Sequence, residues 1–537
     1  MEADGPRLPS LARGAAATTL AAALSRLTGA VRVVVVAAAL GTTFLANTYQ
    51  TANTAPNIVF ELVAAGVLTS IFVPTFVEHI VRGERAQGWR AADALTSVAL
   101  VGLSALALLL ALAAPLVMRV LTVGVTDPAL REHEVRLGTE LLRLFAPQVI
   151  FYGAAMIMNG ALQAHRRFVP SAIAPIFNNV VVIAVYASYA ALRGARPPEV
   201  GEVSAAETLL LGAGTTAGVV AMTASLVPHL RRLGWRFCFR FDLGHPAVRK
   251  GARLGVWALG YAGGYQAGLV VVLVLANRIE GGVAAYQWAW TFFYLPHALF
   301  SMPIFNVLFT AMAEHAARAE RAALVGRLRD GLAMLLFILA PIAAGMAVNG
   351  EAIARLTLQY GVMTGAGAEL VGRVLAAFAL GLPGYSAFVV FTRAFYALGE
   401  TRLPALVNAA TVALSSALGA ALFVGLPGPG AVAGLALGHS VAFSAGAVAL
   451  AGLLARRTGR VLDPGLARSA ARSLGAAALA GAVMLLVGLL LPPAGRLESL
   501  LALAASSLAG AAVYTGAQAA LRSAELGRLV RLLRGAA

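Results

Sequence analysis

The sequence predicts an all-α integral membrane protein of about fourteen transmembrane helices, and three observations carry that prediction. Of the 537 residues, 59% are hydrophobic and 12% are charged, with a mean hydropathy of +0.80. That is too apolar for a soluble chain of this length. Apolar windows recur from about residue 15 to residue 522, each long enough to cross roughly 30 Å of hydrocarbon as a helix. The polar stretches between them are short and leave no room for a soluble domain.

The windows place spans at 15–46, 52–82, 92–122, 134–163, 170–193, 207–231, 247–277, 282–314, 325–348, 368–398, 403–424, 430–455, 470–491 and 497–522. The opening segment carries charge and Pro, and the first apolar window contains two Arg without a clear cleavage site. It therefore reads as a retained helix rather than a signal peptide. With the N-terminus in the cytoplasm, most of the 41 Lys/Arg fall in cytoplasmic loops and tails, Arg231, Arg232, Arg236, Arg240, Arg249, Lys250 and Arg253 among them. This is the positive-inside pattern of a plasma-membrane protein with both termini cytoplasmic. It accounts for the net charge of +17 and the pI near 11.0 without nucleic acid, because the basic residues sit at helix ends and not in one aromatic-interleaved patch.

A single cysteine, Cys238, excludes an intrachain disulfide and a multi-cysteine metal site. REHEVR at 131–136 lacks the spacing that brings two imidazoles to one helix face, and it reads as a surface loop. GLPGPGAVAG at 425–434 lacks the Lys-Ser/Thr of a phosphate loop and reads as a tight helix connection.

Two stretches resemble each other: GALQAHRRFVPSAIAPIFN at 160–178 and AFYALGETRLPALVN at 394–408. Each closes a helix, passes a short polar loop and starts the next helix at a proline, Pro170 or Pro404. Their offset equates the fourth and fifth spans with the tenth and eleventh. Two related six-helix halves and a final pair follow, a plan on which many transporters build a central site. The domains are then a tail at 1–14, an N-terminal lobe at 15–231, a C-terminal lobe at 247–455, a helix pair at 470–522 and a tail at 523–537.

Charge inside the bilayer is costly, roughly 2.5–3.5 kcal/mol for an arginine at mid-span, so such residues mark partners or watery cavities. The first span holds Arg26 and Arg32, with Ser25 on the Arg32 face and Gly29 between them, where a backbone or a ligand could approach closely. The second span carries Asn53, Asn57 and Glu61 at i, i+4 and i+8, with Gln50 beside them and Pro56 loosening the helix. One reading is a structural Arg–Glu pair; the other is a cationic cavity for an anionic head group. Two arginines against one acid favour the cavity, and guanidinium suits phosphate because its planar donors engage it bidentately. Later spans offer Tyr261, Tyr265, Gln266, Gln287, Trp288, Trp290, Tyr294, His297 and Arg393. The aromatics there read as interface anchors and His297 as a bonded interior histidine. Arg393 lies close enough to a helix end to snorkel.

SRLTGAVR at 25–32, APNIVFELVAAGVLTSIFVP at 55–74, GALQAHRRFVPSAIAPIFNN at 160–179, LQYGVMT at 358–364 and FYALGETRLP at 395–404 together resemble the MurJ/MviN lipid II flippase family of the multidrug, oligosaccharidyl-lipid and polysaccharide exporter superfamily. The resemblance implies two pseudo-symmetric six-helix lobes around a central cavity, a C-terminal helix pair forming a groove for a lipid tail, and alternating access that moves an undecaprenyl-pyrophosphate-linked peptidoglycan precursor to the outer leaflet of a bacterial plasma membrane. It implies a transporter without covalent chemistry and with no cofactor, driven by membrane potential or a coupled monovalent cation. Its partners would be membrane lipids and cell-wall synthesis proteins. Arg26 and Arg32 match the family's two first-helix arginines, and Ser25, Gly29 and Asn57 also fit. The chain departs from the family at Val33 and Asn47, at Phe60 where an Arg is expected, at Glu61 and Ala65, and at Thr291 where another Arg is expected. The alternatives are a carrier of another polyprenyl-linked oligosaccharide or amphipathic drug, and a transport-inactive structural homologue. A membrane glycosyltransferase would need a large outer loop with catalytic acids, for which the outer loops are too short.

Overall fold

The computed structural model describes residues 8–63, 85–194, 196–243, 263–318, 320–459, 461–491 and 496–535. Among these no strand occurs. In chain order the helices are α1 (Leu8–Leu40), α2 (Phe44–Val63), α3 (Arg85–Leu121), α4 (Pro128–Phe145), α5 (Gln148–Ala164), α6 (Phe168–Arg193), α7 (Ala205–Arg232), α8 (Gly263–Ala276) and α9 (Gly282–Pro296). They continue with α10 (Met302–Ala317), α11 (Arg321–Leu358), α12 (Gly365–Leu380), α13 (Leu382–Ala397), α14 (Arg402–Gly425), α15 (Pro429–Thr458), α16 (Pro464–Leu490), α17 (Arg496–Ala520) and α18 (Ala524–Gly535). Among the described residues eleven spans are long and apolar enough to cross a membrane, or twelve if the bent pair α12–α13 is one span. The predicted spans 52–82 and 247–277 are described only in part, since 64–84 and 244–262 lie outside the described residues, as do Arg249, Lys250, Arg253, Tyr261 and Ala65.

Local chemistry starts these helices where the sequence changes character. Asp127 caps α4 by accepting from the backbone N–H of Ala129 and Leu130, with Pro128 in the first turn. Ser204 and Glu207 form a reciprocal capping box at α7, and Asp463 caps α16. Each satisfies backbone donors that the first helical turn leaves without partners. Between α14 and α15 the Gly-Pro stretch is the expected tight connection, with Gly428 at φ +54° and Pro429 opening the next helix.

Three expectations are corrected. REHEVR is not a loop: it lies within α4, because the Asp127 cap and Pro128 start the helix before it. The fourth and tenth spans are each broken, at Ala146–Pro147 and at Gly381, and the second break bends its pair by 47°. Pro170 and Pro404 sit in the first turn of helices that begin two residues earlier, at Phe168 and Arg402. Those two starts are 234 residues apart (402 less 168), and so are Pro147 and Gly381 (381 less 147), so the breaks follow the internal sequence repeat.

The chain divides into two compact units, 1–281 and 282–537, so α8 packs with the first. In unit 1, α1 lies along α6, α6 on α7, α2 on α4, and α5 between α7 and α3. The turn after α8 is fastened from inside: Asn277 Nδ2 donates to the Leu121 carbonyl (3.1 Å), and Asn47 Nδ2 donates to the Ile279 carbonyl (2.8 Å). Bilayer hydrocarbon offers these amides no alternative partner, which is why they pair within the protein.

In unit 2, α14 packs on α15, and α11 meets both α12 and α16. Small residues permit the close approaches: a Cβ at Gly438 would lie 2.5 Å from the Gly419 backbone nitrogen. The C-terminal pair α16–α17 is fixed to α11 through Tyr514, whose hydroxyl donates to the Phe337 carbonyl (2.7 Å), and through Ser506, which donates to Asn349 (3.1 Å).

The loop within FYALGETRLP is organised by Glu400. Its carboxylate accepts from the N–H of Arg402 (3.0 Å) and Leu403 (3.3 Å) and from Arg457 (2.8 Å). The Leu403 N–H first, and the Arg457 guanidinium with it, hold this carboxyl below the usual carboxylate range. A depressed pKa means that the contribution to stability is fully present above the ordinary value of about 4.3 and is lost as pH falls through the folded value. Relative to its intrinsic rate, which itself slows as pH falls, amide exchange around 400–403 should therefore accelerate on acidification below about pH 4. Glu400→Gln should show that extra acceleration no longer; an unchanged acid response in the variant would remove Glu400 as its cause.

Candidate functional site

Arg26 and Arg32 lie on α1 within the apolar stretch Ala17–Leu40. At 1.5 Å per residue Arg26 is roughly 14 Å from one end of that stretch and Arg32 roughly 12 Å from the other, both well inside a 30 Å core. Both side chains are half-buried. Around Arg32 the structure gathers three phenols from three helices: Tyr49 of α2, Tyr152 of α5 and Tyr186 of α6 all lie within electrostatic reach of its guanidinium.

These rings form one cluster. Tyr49 meets Phe145 and Tyr186 edge-on at 5.4 and 5.5 Å, and its hydroxyl lies 2.7 Å from Thr215 Oγ1. Tyr186 is fully buried, and its hydroxyl has no hydrogen-bond partner. No described carboxylate lies within ion-pairing distance of Arg32.

Gly29 faces the neighbouring helix α6. A Cβ there would sit 3.6 Å from Asn179 Nδ2, and that amide donates to the Ser25 carbonyl (3.2 Å) and to Thr28 Oγ1 (3.0 Å). Ser25 and Gly29 thus form the seam that holds α1 against α6, and through it set the position of Arg32. Asn179→Ala should cost about 1 kcal/mol of stability, a typical net value for such bonds. Its check is the midpoint of thermal unfolding in detergent, and no shift would remove the seam as a fixed contact.

On α2, Asn57 donates to the Asn53 carbonyl (2.9 Å), while the buried Asn53 Oδ1 has no partner. Glu61 is exposed and makes no ion pair with a described residue, so the structural Arg–Glu pair, the less favoured of the two readings, is not formed among the described residues. Phe60, standing where the family pattern has an arginine, lies against Tyr152 at 5.4 Å and extends the aromatic wall. Gln266 on α8 is buried with its Oε1 unpartnered.

In unit 2, Gln287 is half-buried on α9, and its carbonyl accepts from Thr291. Arg393 is exposed on α13, with its guanidinium 5.9 Å above the Phe309 ring. His297 is a bonded interior histidine, 2.8 Å from Ser386 Oγ. The aromatics of α9 are not interface anchors: Trp288 and Phe293 are buried, and Trp290 packs with Phe378, Tyr385 and His439. Lone spacing on one helix gave no sign that α12, α13 and α15 would enclose them.

Sequence reasoning missed three groups. The tyrosines around Arg32 come from separate helices, and only the seven-residue interval between Asn179 and Tyr186, which sets both on one face of α6, hinted at them. Glu134, inside the REHEVR stretch, is fully buried with neither carboxylate oxygen hydrogen-bonded. His439 is buried against Phe443 at 4.2 Å.

A family model described as lipid II flippase MurJ matches residues 36–505. A probable lipid II flippase MurJ of Rhizobium tropici is 29% identical over 434 residues, covering 81% of this chain and 79% of that protein. A lipid II flippase MurJ of Burkholderia cenocepacia is 24% identical, covering 71% and 72%. Among solved structures, a lipid II flippase MurJ in an inward closed conformation superimposes with a TM-score of 0.73 at 19% identity, covering 93% of this chain and 98% of that one. An inward-facing MATE family multidrug transporter of the MOP superfamily gives 0.66 at 13% identity, covering 81% and 95%. At those identities the structural matches speak for the fold.

Proposed function

Because the chain belongs to the lipid II flippase MurJ family, we propose that it carries an undecaprenyl-pyrophosphate-linked peptidoglycan precursor from the inner to the outer leaflet of the bacterial plasma membrane by alternating access. The observation that carries this reading is Arg32, a guanidinium deep in an apolar span, ringed by phenols and lacking a described carboxylate. A charge in that setting calls for an anion, and the pyrophosphate of the precursor supplies one. Arg26 and Arg32 bind it, Ser25 and Gly29 position α1, and Asn53, Asn57, Glu61, Gln266, Gln287 and Arg393 are further candidate substrate-binding residues. No bond is made or broken. The driving force is membrane potential or a coupled monovalent cation, both termini are cytoplasmic, and cell-wall synthesis proteins are the partners that use the product.

The test is growth of a bacterium depleted of its own lipid II flippase. The parent should restore growth and Arg26→Ala should not, at matched membrane levels. Failure of the correctly inserted parent would count against this cargo.

One observation favours a second reading, transport of another polyprenyl-linked oligosaccharide. Phe60 against Tyr152 replaces a family arginine with an apolar wall, which removes a donor for the head group. On the first reading Phe60→Arg leaves rescue unchanged or improves it. On the second, the parent fails and Phe60→Arg gains rescue.

A further inference from the structure

Unit 1 contains a cavity of about 740 Å³ lined by α3, α5 and the end of α7, and its lining includes none of Arg32, Tyr49, Tyr152 and Tyr186. Its walls are apolar, with Leu100, Ile157, Met158 and Leu230 among them, and Arg231 and Arg236 line it as well. Both arginines are exposed, and no described carboxylate pairs with either. The nearby acid Asp93 is already used, since Trp235 Nε1 donates to it at 2.9 Å.

Ring stacking and a hydrogen bond brace the wall: Trp235 stacks on Trp89 at 5.6 Å, Trp89 stacks on His165 at 5.3 Å, and the Arg240 N–H donates to Ser97 Oγ at 2.8 Å. Beyond Trp235 the chain is irregular, and Phe237, Phe239, Phe241 and Leu243 are 47%, 62%, 51% and 58% exposed, interleaved with Arg236 and Arg240. Exposed aromatic and apolar side chains alternating with arginines suit the boundary between hydrocarbon and head groups, where rings enter the lipid and guanidiniums meet phosphate.

We infer that this cavity is a binding site for an anionic phospholipid, with an acyl chain among Leu100, Ile157 and Met158 and the phosphodiester held by Arg231 and Arg236. The volume is that of a ligand pocket. The pairing of an apolar interior with two guanidiniums that no described carboxylate pairs selects an amphipathic anion over a neutral lipid, and the exposed phenylalanines select a membrane lipid over a soluble anion.

The full-length protein, purified in mild detergent, would be offered equimolar phosphatidylglycerol and phosphatidylcholine of the same chains, and the retained lipids counted by native mass spectrometry. The parent should retain phosphatidylglycerol preferentially. Arg231→Gln with Arg236→Gln should lower that retention by about fivefold per arginine, roughly 25-fold for the pair. Both residues are exposed, so folding is preserved, and Met158→Trp, which fills the cavity and leaves the charges, should also displace the lipid. Equal retention of the two lipids by the parent, or undiminished retention in the double variant, would overturn the proposal. Displacement of the bound lipid by millimolar inorganic phosphate would identify a soluble-anion site instead and overturn it equally.

Discussion

Arg32→Ala is expected to lower flipping of a polyprenyl-pyrophosphate-linked saccharide about 10- to 100-fold, the range set by losing hydrogen bonds to a charged group worth about 1.5–3 kcal/mol. The variant leaves Tyr49, Tyr152 and Tyr186 in place, so the cluster keeps its packing and loses its only nearby positive charge among the described residues. Arg32→Lys separates charge from geometry. Lysine restores the charge but not the planar fork, and an intermediate rate is expected. The measurement is appearance of labelled precursor on the far leaflet of proteoliposomes, normalised to folded protein. A rate equal to the parent's in the alanine variant would exclude Arg32 from head-group binding. A lysine variant as slow as alanine would show that bidentate geometry, and not charge alone, is what transport requires.

Among the described glycines of unit 1, Gly281→Ala should be the most destabilising added methyl. Gly281 has φ +67°, a left-handed conformation that costs a residue with a Cβ roughly 1–2 kcal/mol. The new Cβ would also lie 2.6 Å from the Thr42 backbone, which is no flexible side-chain end that could move aside. Overpacking adds roughly 1–3 kcal/mol, so about 2–5 kcal/mol is expected in all. The turn at 277–281 is meanwhile pinned by Asn277 and Asn47, which leaves the strain no easy outlet. Thermal unfolding in detergent should show a clear drop in midpoint. Gly263→Ala, where the new methyl meets open space, should not lower it comparably. Equal midpoints for the two variants would mean that the turn relaxes freely.

Much of the fold was legible in the residues because hydrocarbon imposes a simple rule, that every backbone polar group must be satisfied within the segment. Apolar windows and their charged ends located most described spans to within a turn or two at their ends, while the helix predicted at 325–348 runs on to Leu358 and the one predicted from 52 starts at Phe44. The repeat around Pro170 and Pro404 also foretold helix starts at a constant offset. The site was legible only in part. Arg26 and Arg32 stood out because a charge in an apolar span is costly wherever it sits. Tyr186 and Glu134 did not, since a tyrosine in an apolar helix and a Glu in a charged stretch are each unremarkable until neighbouring helices close over them.

By itself, the sequence determined the membrane-spanning all-α class, the approximate positions of most spans, the family pattern and the two deep arginines, all of which follow from properties of single segments in a bilayer. Tertiary structure alone decided which of those residues meet. It set Gly29 against Asn179 and Arg32 among three phenols. It left Glu61 without a described partner and buried Glu134. The physical reason is that helix periodicity defines which residues share a face, whereas the neighbour that face meets is chosen by packing between helices far apart in the chain.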